Sequence, residues 1–132
     1  MTSTVIHSAR LVTAGVETAD AWVRFEGAQV AAIGTGDGWE PAERVVDATD
    51  AAGPGAVLTP GFLDLHGHGG AGHAYDDGPD DVRAARALHR AHGTTRAVVS
   101  LVTAPPPLLA RRAAMVAELT RTDADILGSH LE

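Results

Sequence analysis

The sequence predicts an α/β chain in two parts. Residues 1–56 read as part of a small β-sandwich domain, and residues 57–132 as a β-α-β-α-β run of a parallel α/β sheet. Three observations carry this. Short β-branched runs separated by turn residues fill the first part. Nearly continuous apolar strands alternate with helical segments in the second. The change of pattern falls at Ala51-Ala52-Gly53-Pro54-Gly55.

The elements follow in order. Residues 4–6 and 11–13 are β-branched and apolar, and residues 21–25 alternate, with Trp22 and Arg24 opposite Val23 and Phe25. Strands over 29–33 and 44–47 are divided by the turn-rich Gly-Thr-Gly-Asp-Gly-Trp-Glu-Pro run, and the spacing predicts an antiparallel arrangement. An apolar strand over 57–65 then leads into a Gly/His loop. A helix is predicted over 79–93. Pro79 suits its first position, Asp80 and Asp81 suit the positive end of the dipole, Gly93 suits the stop, and Val82, Ala85 and Leu88 share a face. A second strand covers 95–102. A helix opening at Pro105-Pro106-Pro107 carries the stripe Leu109, Ala113, Val116 and Leu119, and a third strand covers 124–131. A barrel needs eight such units and about 250 residues. The last strand would also present an unpaired apolar edge. The chain therefore reads as truncated, the N-terminal portion of a longer protein.

Composition narrows the function. A formal charge of −7 argues against nucleic acid, because phosphate neutralisation needs clustered cations. The ten basic residues are all arginine, so no lysine serves as a base or as a carboxylated metal bridge. With no cysteine, thiolate metal sites and disulfides are excluded. No apolar run approaches the roughly 20 residues of a membrane span, and the N-terminus lacks signal-peptide character. A cytoplasmic location is expected.

In parallel α/β folds functional groups gather at the carboxyl ends of strands. The first parallel strand ends in Asp64-Leu65-His66-Gly67-His68, and alternation places Asp64, His66 and His68 on one side. The third ends in His130-Leu131-Glu132, with His130 and Glu132 on one side. In a barrel both ends open on the same rim, and a mixed His and carboxylate set suits Zn²⁺, Fe²⁺ or Mn²⁺. A bare His-x-His in a Gly-rich loop is a weak signal, so it is the convergence of two strand ends that argues for a metal. Asp64 is better read as orienting a histidine than as a ligand. His130 divides between a role behind the ligands and a core hydrogen bond. His73 reads as a solvated loop residue, His7 as structural, and His89 and His92 as packing or surface residues.

The stretch from Val57 to Gly70, with Pro60-Gly61-Phe62-Leu63-Asp64-Leu65-His66-Gly67-His68 at its centre, resembles the first barrel strand of the amidohydrolase superfamily, which has a metal-dependent-hydrolase TIM barrel. Leu88-His89-Arg90-Ala91-His92-Gly93-Thr94-Thr95, Ser100-Leu101-Val102-Thr103-Ala104-Pro105 and the terminal Gly128-Ser129-His130-Leu131-Glu132 look more specifically like the N-acetylglucosamine-6-phosphate deacetylase family. The resemblance implies that Glu132 is a metal ligand and that His66 and His68 bind a divalent metal, with one or two ions in the complete site. It implies deacetylation of an amino-sugar phosphate, a homodimer, and a catalytic base beyond residue 132, so that no catalytic residue lies within this chain and the chain alone is inactive. The sugar-phosphate contacts are unknown. Two rival readings remain: a cyclic amidohydrolase of the dihydroorotase or hydantoinase kind, which shares the strand signature, and a non-catalytic metal-binding scaffold.

Overall fold

A computed structural model describes residues 2–132. They form two compact units, one reaching to Pro60 and the other spanning Gly61–Glu132.

The first unit contains β1 (Ser3–Thr13), β2 (Val16–Glu26), β3 (Gln29–Thr35), β4 (Arg44–Asp47), α1 (Ala48–Ala52) and β5 (Val57–Leu58). The runs expected at 4–6 and 11–13 are one strand. Ser8 takes a left-handed φ of 57°, and the register shifts between Ile6 and Ala9. This irregularity lets the chain keep pairing across polar His7-Ser8. Ala14 and Gly15, both at positive φ, close the β1–β2 hairpin in the two-residue geometry that matches strand twist. The sheet order is β3-β2-β1-β4, with β5 also on β1. The antiparallel expectation holds for β1, β2 and β3 but not for β4 and β5, which run parallel to β1. Among the described residues this is one mixed sheet.

Helix α1 was not legible, because five residues are too few for a helical period. Its signal is local: the Asp47 carboxylate accepts from the N–H groups of Thr49 and Asp50. The expected 57–65 strand is two strands. Val57 and Leu58 pair with Arg10 and Leu11 in the first sheet, and pairing ends before Pro60, which has no N–H to give. Val5, Ala9, Leu11, Ala21, Val23, Ala48 and Ala56 are the buried apolar residues of this unit.

The second unit contains β6 (Phe62–Gly67), the short pair β7 (Gly69–Gly70) and β8 (His73–Ala74), then α2 (Pro79–Ala91), β9 (Thr94–Leu101), α3 (Pro106–Thr122) and β10 (Ile126–Leu131). The predicted β-α-β-α-β is present as a parallel sheet in the order β10-β9-β6. What reads as a Gly/His loop is a small hairpin, turned by Ala71 and Gly72 at positive φ. Val99 and Leu101 of β9 pack with Tyr75, Val82, Ala85, Val116, Leu119 and Ile126. Burial pushes the Tyr75 phenol above its ordinary value, partly offset by the Arg86 cation.

Two expectations fail here. Strand β6 is not buried on both faces: its Phe62, Leu63 and Leu65 are 52–64% exposed, whereas the consecutive Val99, Ser100 and Leu101 of β9 are fully buried. On α2, Leu88 is partly exposed while Arg86 is buried. The Arg86 guanidinium is partly satisfied internally, with Nε on Asp125 at 3.3 Å and Nη2 donating to the Thr94 carbonyl at 3.0 Å, while its Nη1 is buried without a partner.

Candidate metal centre

The site forms at the carboxyl ends of β6 and β10. His66 Nε2 lies 3.2 Å from His68 Nε2 and 3.7 Å from Glu132 Oε1, and His68 Nε2 lies 3.1 Å from Glu132 Oε2. His66 and Glu132 are exposed and His68 half-buried, so the group opens to solvent. These three residues, read from two separate strand ends, are brought together. They are also the one His and carboxylate group among the described residues spaced to hold an ion.

The spacing fits a metal. Two nitrogens bound tetrahedrally at 2.0–2.1 Å from Zn²⁺ stand about 3.3 Å apart. The His68 Nδ1 is buried without a partner, so Nε2 is the atom directed at the group. The donor set of two imidazoles and a carboxylate is that of Zn²⁺ or another borderline divalent ion.

Local sequence explains the convergence. Asp64 Oδ1 accepts the His66 main-chain N–H at 3.1 Å. Asp64 therefore acts on His66 through its backbone and not through its imidazole. A Cβ at Gly67 would stand 2.7 Å from Asp64 Oδ2, so a larger residue there would push on the carboxylate that makes this brace. At Gly69, with φ at 145°, a Cβ would strike the His73 carbonyl.

The remaining histidines are placed as follows. His89 Nε2 donates to the Gly69 carbonyl at 2.9 Å, tying α2 to the hairpin that follows the ligands. This is more than the packing role expected of it. His73 is not free, because its Nδ1 lies 2.8 Å from Asp81 Oδ1 on α2. His92 is exposed at the end of α2. His7 lies in the other unit, stacked on Trp39 at 5.1 Å, in the structural role expected. The His130 ring packs 4.9 Å from His66 at 59°, and its Nδ1 meets Ser100 Oγ at 3.3 Å. His130 is itself exposed, so it reaches the buried Ser100 from the rim rather than from within the core. Ser100 itself, fully buried, was missed; a lone hydroxyl in Val98-Val99-Ser100-Leu101-Val102 is its signal.

A parallel sheet with crossover helices, carrying this triad on its rim, defines the class: the fold is that of part of the amidohydrolase-type hydrolases. The particular likeness is to N-acetylglucosamine-6-phosphate deacetylase. A structure of that enzyme from Mycobacterium smegmatis in complex with N-acetyl-D-glucosamine-6-phosphate matches with a TM-score of 0.83 and 34% identity, over 99% of this chain and 32% of that one. The Pasteurella multocida deacetylase matches in fold with a TM-score of 0.84 at 20% identity, over 98% of this chain and 34% of that one. A D-hydantoinase shares the fold less closely, with a TM-score of 0.61 at 23% identity, over 98% of this chain and 27% of that one. No family model and no curated protein matches the chain. The resemblance read in the sequence stands, and the chain spans about a third of the length of the deacetylases it matches. Among the described residues no helix is long and apolar enough to cross a membrane.

Proposed function

We propose that the complete protein hydrolyses the acetamide of N-acetylglucosamine 6-phosphate, releasing acetate and glucosamine 6-phosphate, and that this chain supplies the first metal ligands. The single observation that carries the reading is the meeting of His66, His68 and Glu132 at one point, from two strand ends far apart in sequence. The likeness at 34% identity supports the substrate, and the lower TM-score against the hydantoinase argues against the cyclic-amide rival.

A divalent ion held there supplies a water of lowered pKa and polarises the amide carbonyl. His66 and His68 would offer Nε2 lone pairs, and Glu132 a carboxylate oxygen that offsets part of the ion's charge. Asp64 keeps the His66 backbone in place, and His89 keeps Gly69 and the hairpin beside it. A carboxylate elsewhere in the complete enzyme would take the water proton and pass it to the leaving amine. The full site takes one or two ions, and the whole enzyme works as a homodimer in the cytoplasm.

The test is acetate release from N-acetylglucosamine 6-phosphate by the whole enzyme, before and after chelation. Activity that a chelator abolishes and Zn²⁺, Fe²⁺ or Mn²⁺ restores is the expected result. Undiminished activity after removal of all metal would refute the reading.

A further inference from the structure

The segment Ser100-Leu101-Val102-Thr103 resembles the deacetylases, yet none of its side chains is a ligand. Its contacts all lead to one place. Ser100 and Leu101 sit in register with His130 and Leu131 across the β9–β10 ladder. The Glu132 main-chain N–H donates to the Leu101 carbonyl at 3.3 Å. The Thr103 hydroxyl donates to the Glu132 main-chain oxygen at 2.5 Å, and Ser100 Oγ meets His130 Nδ1 at 3.3 Å. The segment is itself tied down at its middle. Val102 N–H donates to Asp76 Oδ1 at 3.3 Å, and Asp76, largely buried, is paired with Arg112 at 3.0 Å.

We infer that Ser100 and Thr103 are positioning residues that set where Glu132 and His130 stand, and so tune the metal affinity of a triad whose ligand atoms they never touch. Glu132 lies just past the last residue of β10, and its main-chain N–H still pairs with the Leu101 carbonyl. The Thr103 hydroxyl adds a second tie, to the Glu132 main-chain oxygen. Ser100 does the same for a ring, holding His130 against the face of His66 and limiting the directions in which His66 Nε2 points. Hydrogen bonds of this kind around a ligand change metal affinity about 10- to 100-fold when removed. The inference rests on the proposed metal site and adds to it the residues that tune it.

The test uses Co²⁺ alone as the probe, titrated into the full chain and into T103V, T103S and S100A, with the visible ligand-field absorption and a chromophoric chelator as readouts. Thr103 is exposed, so T103V removes a hydroxyl without touching the core. The expected result is Co²⁺ bound about tenfold more weakly by T103V, with an altered ligand-field band, and parent-like behaviour restored in T103S. S100A should weaken binding in the same direction. If the parent chain takes up no Co²⁺, the metal reading fails and this inference falls with it. If the parent binds and T103V binds equally well with the same spectrum, the positioning role alone is overturned.

Discussion

At the scale of single residues, Glu132 has one duty that its surroundings expose. It is solvent-accessible, makes no apolar contact that matters to a core, and brings both carboxylate oxygens toward imidazole nitrogens. Substituting Glu132→Gln keeps shape and removes the charge that a cation needs. The expected outcome is at least a tenfold loss of Zn²⁺ affinity in a competition titration, with the urea unfolding midpoint of the metal-free chain unchanged. The convergence of His66, His68 and Glu132 was readable because imidazole and carboxylate are rare types whose placement at strand ends is meaningful. The hydroxyls of Ser100 and Thr103 were not readable as partners. Serine and threonine are common, and only the β9–β10 register shows what they face. Asp64 shows the same limit: alternation put it on the ligand side, but its acceptor went to a backbone N–H two residues on.

Among elements, α2 joins the two kinds of interaction in this unit. Its first two turns supply Val82 and Ala85 to the core, and its inner face carries Arg86 to Asp125 and Thr94. Arg90 reaches Asp125 as well, at 2.7 Å, so two cations share that carboxylate. Truncating Arg86→Ala opens a hole and strips the Thr94 carbonyl of its donor, at an expected cost of about 3 kcal/mol in urea unfolding. At the helix end, His89→Phe should leave global stability nearly unchanged. It should still speed amide exchange in residues 69–74, since the Gly69 carbonyl loses its tie to the helix. The beginning and end of α2 were legible from Pro79 and Gly93, because these residues act through backbone chemistry alone. Its inward face was misread at Leu88 and Arg86. A helical period ranks residues by polarity and is blind to a guanidinium that finds internal partners. In the other unit, β1 was read as two strands for a related reason: polarity at His7-Ser8 looked like a break, while the backbone carried on through an irregular step.

For the molecule as a whole, each unit carries a carboxylate that makes stability fall in acid. Partial burial pushes Asp47 up, but the N–H groups of Thr49 and Asp50, the Ser8 hydroxyl and His7 outweigh it and hold the carboxyl below its ordinary value. Asp123 is held low by the Thr122 hydroxyl and Arg83, against a smaller opposing effect of burial. A carboxyl whose folded pKa is depressed contributes stability above its unfolded value, near pH 3.9, and loses it as pH falls through the folded value. Thermal unfolding should therefore be level from pH 7 to about 5 and decline below about 4. Asp123→Asn should flatten that decline, and a profile identical to the parent's would count against the assignment. At this scale the α/β class and the parallel sheet were legible, since alternating strands and helices allow few other arrangements. The mixed character of the first sheet was not, because nothing in residues 44–47 or 57–58 says which way a strand will run beside its partner.

The candidate ligands His66, His68 and Glu132 stand at the ends of β6 and β10, the two outer strands of a three-stranded sheet, with β9 between them contributing none. Two inter-strand spacings, about 9.6 Å of backbone, are bridged by side chains alone. Any slip or change of twist in that sheet is therefore magnified at the ligand tips, long before strands melt. Ion uptake should respond to such distortion more sensitively than circular dichroism does, which makes a simple metal titration a gauge of whether the strands are correctly aligned.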